Sequence, residues 1–186
     1  MKKVFCILIA ICVCVSCVIF STNSESQEKQ EIFRLHIRAN SNLEVDQSIK
    51  MEIKEEFVKF LTPYVAECES KAEVIEMTKN VIEPLENIAD NILKKNGFNY
   101  LSNVKICSEY FPDRSYGEYI VESGYYDALI VELGEAKGDN WWCVVYPPLC
   151  FVDYSNNFAG GVVYKSKILE IINKFFDKGE ENETSD

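Results

Sequence analysis

The stretch that decides the fold class is Phe33-Arg34-Leu35-His36-Ile37-Arg38-Ala39, in which apolar and polar residues alternate without exception. A period of two is typical of a half-buried β-strand, because successive side chains point to opposite faces of a sheet. We therefore expect the polar residues of this strand, His36 among them, on a solvated face. Directly afterwards, Ser41 and Glu44 have the spacing of a capping box, which predicts that a helix begins here.

Two helical segments are predicted next. The first has apolar residues at spacings of three and four, which form one face of a helix that Pro63 is expected to end. These residues are Val45, Ile49, Ile53, Phe57, Phe60 and Leu61. Ser70 and Glu73 form a second capping box, and the apolar stripe after it continues past Pro84 to Asn96-Gly97. We expect a kink or two abutting helices near Pro84.

The pattern after Gly97 is typical of strands. The predicted strands are Val104–Tyr110, Tyr119–Val121, Tyr126–Leu133 and Trp142–Tyr146, with Phe151–Tyr154 as a candidate that would pair back across Pro147-Pro148. Val162–Phe176 fits a final amphipathic helix. This order of elements predicts an α+β fold, a mainly antiparallel sheet with helices packed on one face.

The N-terminal residues have the pattern of an export segment. Lys2-Lys3 precede an apolar run from Val4 to Phe20, and a polar stretch follows, as in a secretory signal. A cleaved signal is favoured over a retained membrane anchor, and both readings stay open. We divide the chain into a signal peptide or membrane anchor over residues 1–21, a linker over 22–31, one α+β signalling domain over 32–176 and an acidic disordered tail over 177–186.

The charge balance limits the classes of partner. The net charge is −11, and without Lys2 and Lys3 the 19 basic residues fall to 17 against 30 acidic ones, a balance of −13. Nucleic-acid phosphates are bound by clustered Lys and Arg, which this chain lacks, so we expect no nucleic-acid partner. Anionic membranes repel such a domain, so membrane association is expected only through an uncleaved N-terminal segment.

No arrangement of residues indicates catalysis. The chain has one histidine, His36, and none of the common hydrolase, metalloprotease or nucleotide-binding motifs. A Cys–His nucleophile pair with His36 as the base is conceivable, and so is a zinc site of His36, Cys107, Cys143 and Cys150. A plain structural role for His36 on the polar face of its strand is favoured over both. The wide cysteine spacing and the oxidising compartment disfavour zinc. We therefore expect no catalytic residue, no cofactor and no metal.

The most unusual segment is Asn140–Phe151, which contains both tryptophans, two of the five prolines and two cysteines. Pro147-Pro148 cannot donate ladder hydrogen bonds, so the chain turns there and brings Cys150 back beside Cys143. We predict a disulfide between these two, and leave open the pairing of Cys68 and Cys107. The aromatic residues allow two readings, core filling or a docking patch for a protein partner. The patch would consist of Trp141, Trp142, Tyr146, Pro147 and Pro148.

Three parts of the chain resemble the stage II sporulation protein R family of endospore-forming bacteria. They are Asn140–Phe151, then Arg34–Ser41 with Asp46-Gln47 and Lys50, and finally Phe111-Pro112 with Tyr116-Gly117, Tyr126–Leu129 and Leu133-Gly134. The resemblance covers about Phe33 to Asp153 and fades in the C-terminal helix. Leu43 departs from the family pattern, where a small polar residue is common.

The resemblance implies a signalling protein rather than an enzyme. Family members are exported from the forespore into the space between the two membranes. There they activate a membrane-embedded aspartyl protease, the sigma-E-processing peptidase, which cleaves the precursor of sigma factor E in the mother cell. The alternative from another class is an exported hydrolase that acts on cell-wall material through paired carboxylates.

Overall fold

A computed structural model of the chain describes residues 31–117, 119–152 and 161–183. Backbone contacts divide the chain into Met1–Glu31 and Ile32–Asp186. The predicted signal or anchor and nearly all of the predicted linker lie outside the described residues. None of the described helices is both long enough and apolar enough to cross a membrane.

Six strands and four helices are found within the described residues. They follow the chain as β1 Phe33–Arg38, α1 Glu44–Val65, α2 Lys71–Asn80, α3 Ile82–Lys95, β2 Ser102–Phe111, β3 Arg114–Tyr116, β4 Tyr119–Val121, β5 Gly124–Leu133, β6 Asn140–Tyr146 and α4 Gly161–Glu183, with a short 3₁₀ helix at Leu149–Phe151 before α4.

The main sheet is mixed rather than mainly antiparallel. Its strand order is β2-β5-β1-β6, and β3 pairs with β4 as a separate hairpin. Strand β1 runs parallel to β5 and antiparallel to β6, while β2 is antiparallel to β5. The α+β class is confirmed. The parallel pair was not predicted, because the direction of pairing between distant strands leaves no local trace in the sequence.

The sheet has an apolar core on each face. The larger core lies between the helices and the sheet face that carries Phe33, Leu35 and Ile37. The smaller core lies on the opposite face and includes Phe111 and Val121, the latter from the β3–β4 hairpin. Strand β1 is therefore covered on both faces.

The prediction that β1 is half-buried is wrong. Arg34 is fully buried and His36 is 2% exposed, although both occupy polar positions of the alternation. The physical reason is that the hairpin and strand β6 bring aromatic side chains over this face. A central strand that is covered on both faces normally consists of consecutive apolar residues. In β1, polar residues occupy two of these buried positions.

The first helix differs from its predicted boundaries. Its N-cap is Leu43, which makes no side-chain capping bond. Ser41 instead accepts a hydrogen bond from the Leu43 amide at 3.1 Å and donates to Asp46 at 2.6 Å. Pro63 does not end α1 but lies inside its last turn, and the helix ends at Val65. Because Pro63 lies so close to the end of α1, its missing amide removes one hydrogen bond and does not stop the helix.

The second helical segment follows its prediction closely. The Glu73 amide donates to Ser70 Oγ at 3.3 Å, which is the predicted cap. The segment consists of two abutting helices that meet at Val81. Pro84 lies in the first turn of α3, where a helix needs no amide donor from that position. Gly97, with a φ of 80°, closes α3, and the Phe98 amide donates to the Leu93 carbonyl.

Two predictions in the C-terminal third need correction. Phe151–Tyr154 was a candidate strand, but Leu149–Phe151 is a 3₁₀ helix, and residues 153 and 154 lie outside the described part. The tail predicted from Asp177 continues as helix to Glu183. A helix already formed by apolar packing is easily extended by residues such as glutamate, because propagation costs far less than nucleation.

Candidate functional site

The Asn140–Phe151 segment forms an edge strand followed by a locked turn. Strand β6 is the last strand of the sheet, and after Pro147-Pro148 the chain turns back. Cys143 and Cys150 are joined by a disulfide, with their Cα atoms 6.0 Å apart. Cys150 Sγ also accepts a hydrogen bond from the Val144 amide at 3.4 Å. The turn therefore covers an outward-facing amide of this edge strand.

The five residues of the predicted docking patch do not share one exposed surface. Trp141 and Trp142 are both half-buried, but they lie on opposite faces of β6. Tyr146, Pro147 and Pro148 are buried, and the Tyr146 hydroxyl donates to the Glu69 carbonyl at 2.6 Å. The last three residues thus contribute to the interior, and only the tryptophans reach the surface.

Trp142 joins a group of side chains on the sheet face opposite the helices. We call this group the arginine–aromatic cluster; it consists of Arg34, His36, Phe111, Tyr116, Tyr126 and Trp142. The Trp142 ring stacks on His36 with centroids 4.0 Å apart and meets Phe111 edge-on at 5.1 Å. The guanidinium of Arg114, from strand β3, lies 5.7 Å from the Trp142 centroid. The hairpin therefore reaches the exposed side of this cluster.

Arg34 is the buried centre of the cluster. Its Cζ lies 4.4 Å from the Phe111 centroid, 5.3 Å from that of Tyr126 and 5.9 Å from that of Tyr116. One nitrogen donates to the Tyr116 hydroxyl at 2.7 Å. Within the described part of the chain, its Nε and Nη1 have no hydrogen-bond partner. Burial lowers the pKa of Arg34, and among the described residues the rings rather than a carboxylate stabilise the charge.

His36 links the cluster to a charged network. Its Nδ1–H donates to Glu109 at 2.9 Å, and burial lowers the pKa of His36 to about 4. The imidazole is therefore neutral at neutral pH. Arg38 pairs with Glu109 and, at 2.8 Å, with Glu132. Burial alone would raise the pKa of Glu132, but its hydrogen bonds and nearby cations outweigh this and lower it.

The hydrolase alternative finds little support in this network. Acid–base catalysis by two carboxylates needs them to face a substrate site. Glu109, which bonds to His36, and Glu132 both bind Arg38. Among the described residues, no group of three or more His, Cys, Asp and Glu could hold a metal ion. Cys107 and Cys68 are free thiols, and burial raises the pKa of Cys68.

Further residues from the parts that resemble the family, which we call signature residues, hold the β5–β6 loop against the start of α1. Asp46 accepts hydrogen bonds from Asn40 at 2.9 Å, Ser41 at 2.6 Å and the Tyr100 hydroxyl at 2.6 Å. Lys50 donates to the Asp139 carbonyl at 2.9 Å. These contacts give the signature residues near Asn40 a structural role. The sequence indicated their importance but not which loop they bind.

Sequence reasoning missed Arg34 as the centre of a cluster. The available signal was the density of aromatic residues between Tyr110 and Tyr126, which could have indicated a cover for one face of β1. Of these aromatic residues, Tyr110 and Tyr125 are exposed, while Phe111 and Tyr126 are buried.

The fold and the site define an α+β domain in which signature side chains of the central strand bind aromatic rings and carboxylates. Comparison with known proteins identifies the family. Residues 29–156 match the model of the family described as stage II sporulation protein R. The chain belongs to this family, and so to the proteins of sporulation.

One characterised relative gives the degree of similarity. The chain is 35% identical over 129 residues to stage II sporulation protein R of Bacillus subtilis (strain 168). The match covers 69% of this chain and 58% of that relative. The chain therefore matches less than two thirds of the relative's length. No solved structure matches the chain.

Proposed function

We propose that this protein is an exported sporulation signal that activates a membrane-embedded aspartyl protease, the sigma-E-processing peptidase. The protease then processes the sigma-E precursor in the mother cell. The observation that carries this proposal is the family match over residues 29–156. The leader of two lysines and an apolar run supports export from the forespore into the intermembrane space. The chain itself supplies no catalytic group in this scheme.

Within the predicted docking patch, Trp142 is the residue best suited to contact the protease. It is half-buried and stands beside Arg114 of the hairpin, so a partner can reach both an aromatic ring and a cation. Tryptophan and arginine dominate binding energy at protein interfaces. The buried residues Tyr146, Pro147 and Pro148 would act indirectly, by holding the turn after β6 in place.

Co-expression tests the proposal. The full chain, the candidate protease and the sigma precursor are produced together in a host that does not sporulate, and precursor cleavage is scored with and without the chain. We expect cleavage only when the chain is present. Cleavage at the same level without it would overturn the proposed function.

Variants in the same assay test the proposed contact. Arg114→Ala should lower cleavage with unchanged protein level, because the Arg114 side chain is exposed. Trp142→Phe keeps a ring over His36 and should lower it further. The matched control is Trp141→Phe, on the opposite face. Equal cleavage by all three variants at equal protein levels would show that the protease contacts other residues. The proposed function would not be affected.

A further inference from the structure

Strand β2 forms one edge of the main sheet, and its outer side has two different halves. In an antiparallel ladder, alternate residues direct their amide and carbonyl groups away from the partner strand. The Ser102 amide donates to Asp90 at 2.8 Å and the Val104 amide donates to Glu86 at 3.0 Å. These even-numbered residues therefore face outward, and carboxylates of α3 cover them.

The second half of the same edge is open. The outward pattern continues at Ile106, Ser108 and Tyr110, since each pairs in register with β5 through the same ladder. In the ranges that the structure describes, no acceptor binds these three amides. Proteins usually protect such an edge, because it can pair with another strand. The opposite edge, β6, is protected at Val144 by the Cys150 sulfur.

The two faces beside the open edge differ in chemistry. On the helix side, Tyr110 is 53% and Tyr125 75% exposed, and their rings meet edge-on with centroids 5.6 Å apart. On the other side, Cys107 and Glu109 are partly exposed. An added strand would thus lie beside the Tyr110 ring on one face and, on the other, beside Glu109, which already pairs with Arg38.

The charges around the open edge favour a basic strand over a second copy of this chain. Three carboxylates flank the open edge, with Glu86 and Asp90 before it and exposed Asp113 after it, against one exposed cation, Arg114, which follows Asp113. The only cation on β2, Lys105, is paired with Glu132 at 2.7 Å. The chain as a whole carries −11, so a second copy would bring like charges together. A basic strand is attracted where an identical copy is repelled.

We propose that the open edge, Ile106–Tyr110, binds an extended segment of another protein in which Lys or Arg alternates with apolar residues. Main-chain hydrogen bonds to the three outward amides and their carbonyls add the segment as a further strand of the sheet. Its apolar residues lie beside Tyr110, whose ring meets that of Tyr125, and its basic residues lie on the side of Glu109. This site does not depend on the identity of the protease.

A model peptide tests the site directly. The probe is a peptide of about nine residues, the length of a long strand, in which lysine and valine alternate. It is added to the full chain in a mild detergent, and amide hydrogen exchange is followed by NMR. We expect slower exchange at Ile106, Ser108 and Tyr110, with Asn103 unaffected. A peptide of alternating glutamate and valine is the matched control and should give no protection.

Each other outcome overturns the proposal. Equal protection of the three amides by both peptides would exclude the preference for basic segments. No protection by either peptide would exclude the binding site. Slow exchange of the three amides before peptide is added means that the edge is already covered. If that protection disappears on dilution, the cover is a second copy; if it persists, the cover is another segment of the chain.

A substitution separates main-chain pairing from side-chain contact. Ser108→Pro removes one outward amide, which an edge strand tolerates because the ladder to β5 does not use it. Binding of the lysine–valine peptide should weaken by about tenfold relative to Ser108→Ala. If Ser108→Pro does not fold, the same comparison is made on the unchanged protein with a peptide whose alternate amides are methylated. Unchanged affinity for that peptide would exclude strand addition.

Discussion

At the scale of single residues, the polar positions of β1 are the most consequential, because they are buried where the alternation predicts solvent. Each is stabilised in a different way. Arg34 relies on aromatic rings and one tyrosine hydroxyl, whereas His36 stays neutral and binds a carboxylate. The two residues therefore respond differently to substitution and to pH.

The pH dependence of stability should come from His36 between neutral and mildly acidic pH. Its pKa is about 4 when folded and 6.5 for the free side chain, so the unfolded chain takes up a proton in a range where the folded chain does not. The free energy of unfolding is therefore full above pH 6.5 and falls as the pH drops towards 4. Urea unfolding should show a loss of about 2 kcal/mol between roughly pH 7 and pH 5.

His36→Phe is the control for this prediction. It keeps a ring against Trp142 and removes the only histidine of the chain. Its stability should change little over the same pH range, because carboxylates titrate mainly below it. The same slope in both proteins would show that another group is responsible.

Arg34 should be replaceable by an apolar side chain of similar length. Arg34→Met removes the cost of burying a charge that no described carboxylate pairs with, and loses the ring contacts and the bond to Tyr116. Such exchanges are often near neutral, so we expect a change within about 1 kcal/mol. Arg34→Ala leaves a cavity and should cost about 3 kcal/mol. Denaturant unfolding of both variants checks this, and a larger loss for methionine than for alanine would contradict it.

At the scale of elements, the close contact between the β5–β6 loop and the start of α1 demands glycine. A Cβ on Gly138 would lie 2.2 Å from the Ser41 carbonyl oxygen, which is backbone and cannot move aside easily. Gly138→Ala should therefore destabilise the protein by about 2 kcal/mol or more. In Gly124→Ala the new Cβ would lie 3.6 Å from the Tyr126 ring, an ordinary contact, so this control should be tolerated. Thermal unfolding distinguishes the two, and equal losses would count against the clash.

The predictions that succeeded depend on neighbours in the chain. The cap at Ser70, the stop at Gly97 and the closeness of Cys143 to Cys150 all involve contacts across a few residues. The burial of β1 depends instead on a hairpin that begins at Arg114, far along the chain. Strand β3 itself has three residues and no apolar alternation, so its pairing could not be read in advance.

The candidate site, too, could be predicted only where it depends on residues that are close together in the chain. The turn and disulfide after β6 follow from Pro147-Pro148 and the cysteine spacing. The burial of Tyr146 does not, because it depends on Glu69 in the loop before α2. The open edge at Ile106–Tyr110 could not be predicted either, since strand order in the sheet is a property of the whole fold.

At the scale of the whole molecule, negative charge opposes compactness. The net charge of −11 produces repulsion that the folded state concentrates and the unfolded state relieves. Raising sodium chloride from about 0.05 M to about 0.5 M screens this repulsion, so the urea midpoint should rise. A falling midpoint would mean that ion pairs such as Lys71–Asp127 and Arg38–Glu132 contribute more than the repulsion costs.

The place of β1 in the sheet also has a consequence for the order of events during synthesis. This strand leads the domain, yet both of its neighbours, β5 and β6, lie about a hundred residues downstream. A chain emerging from its N-terminus cannot close the sheet until Tyr146 is available, and contacts of such long range form slowly. The nascent chain therefore lacks its closed sheet for most of its length.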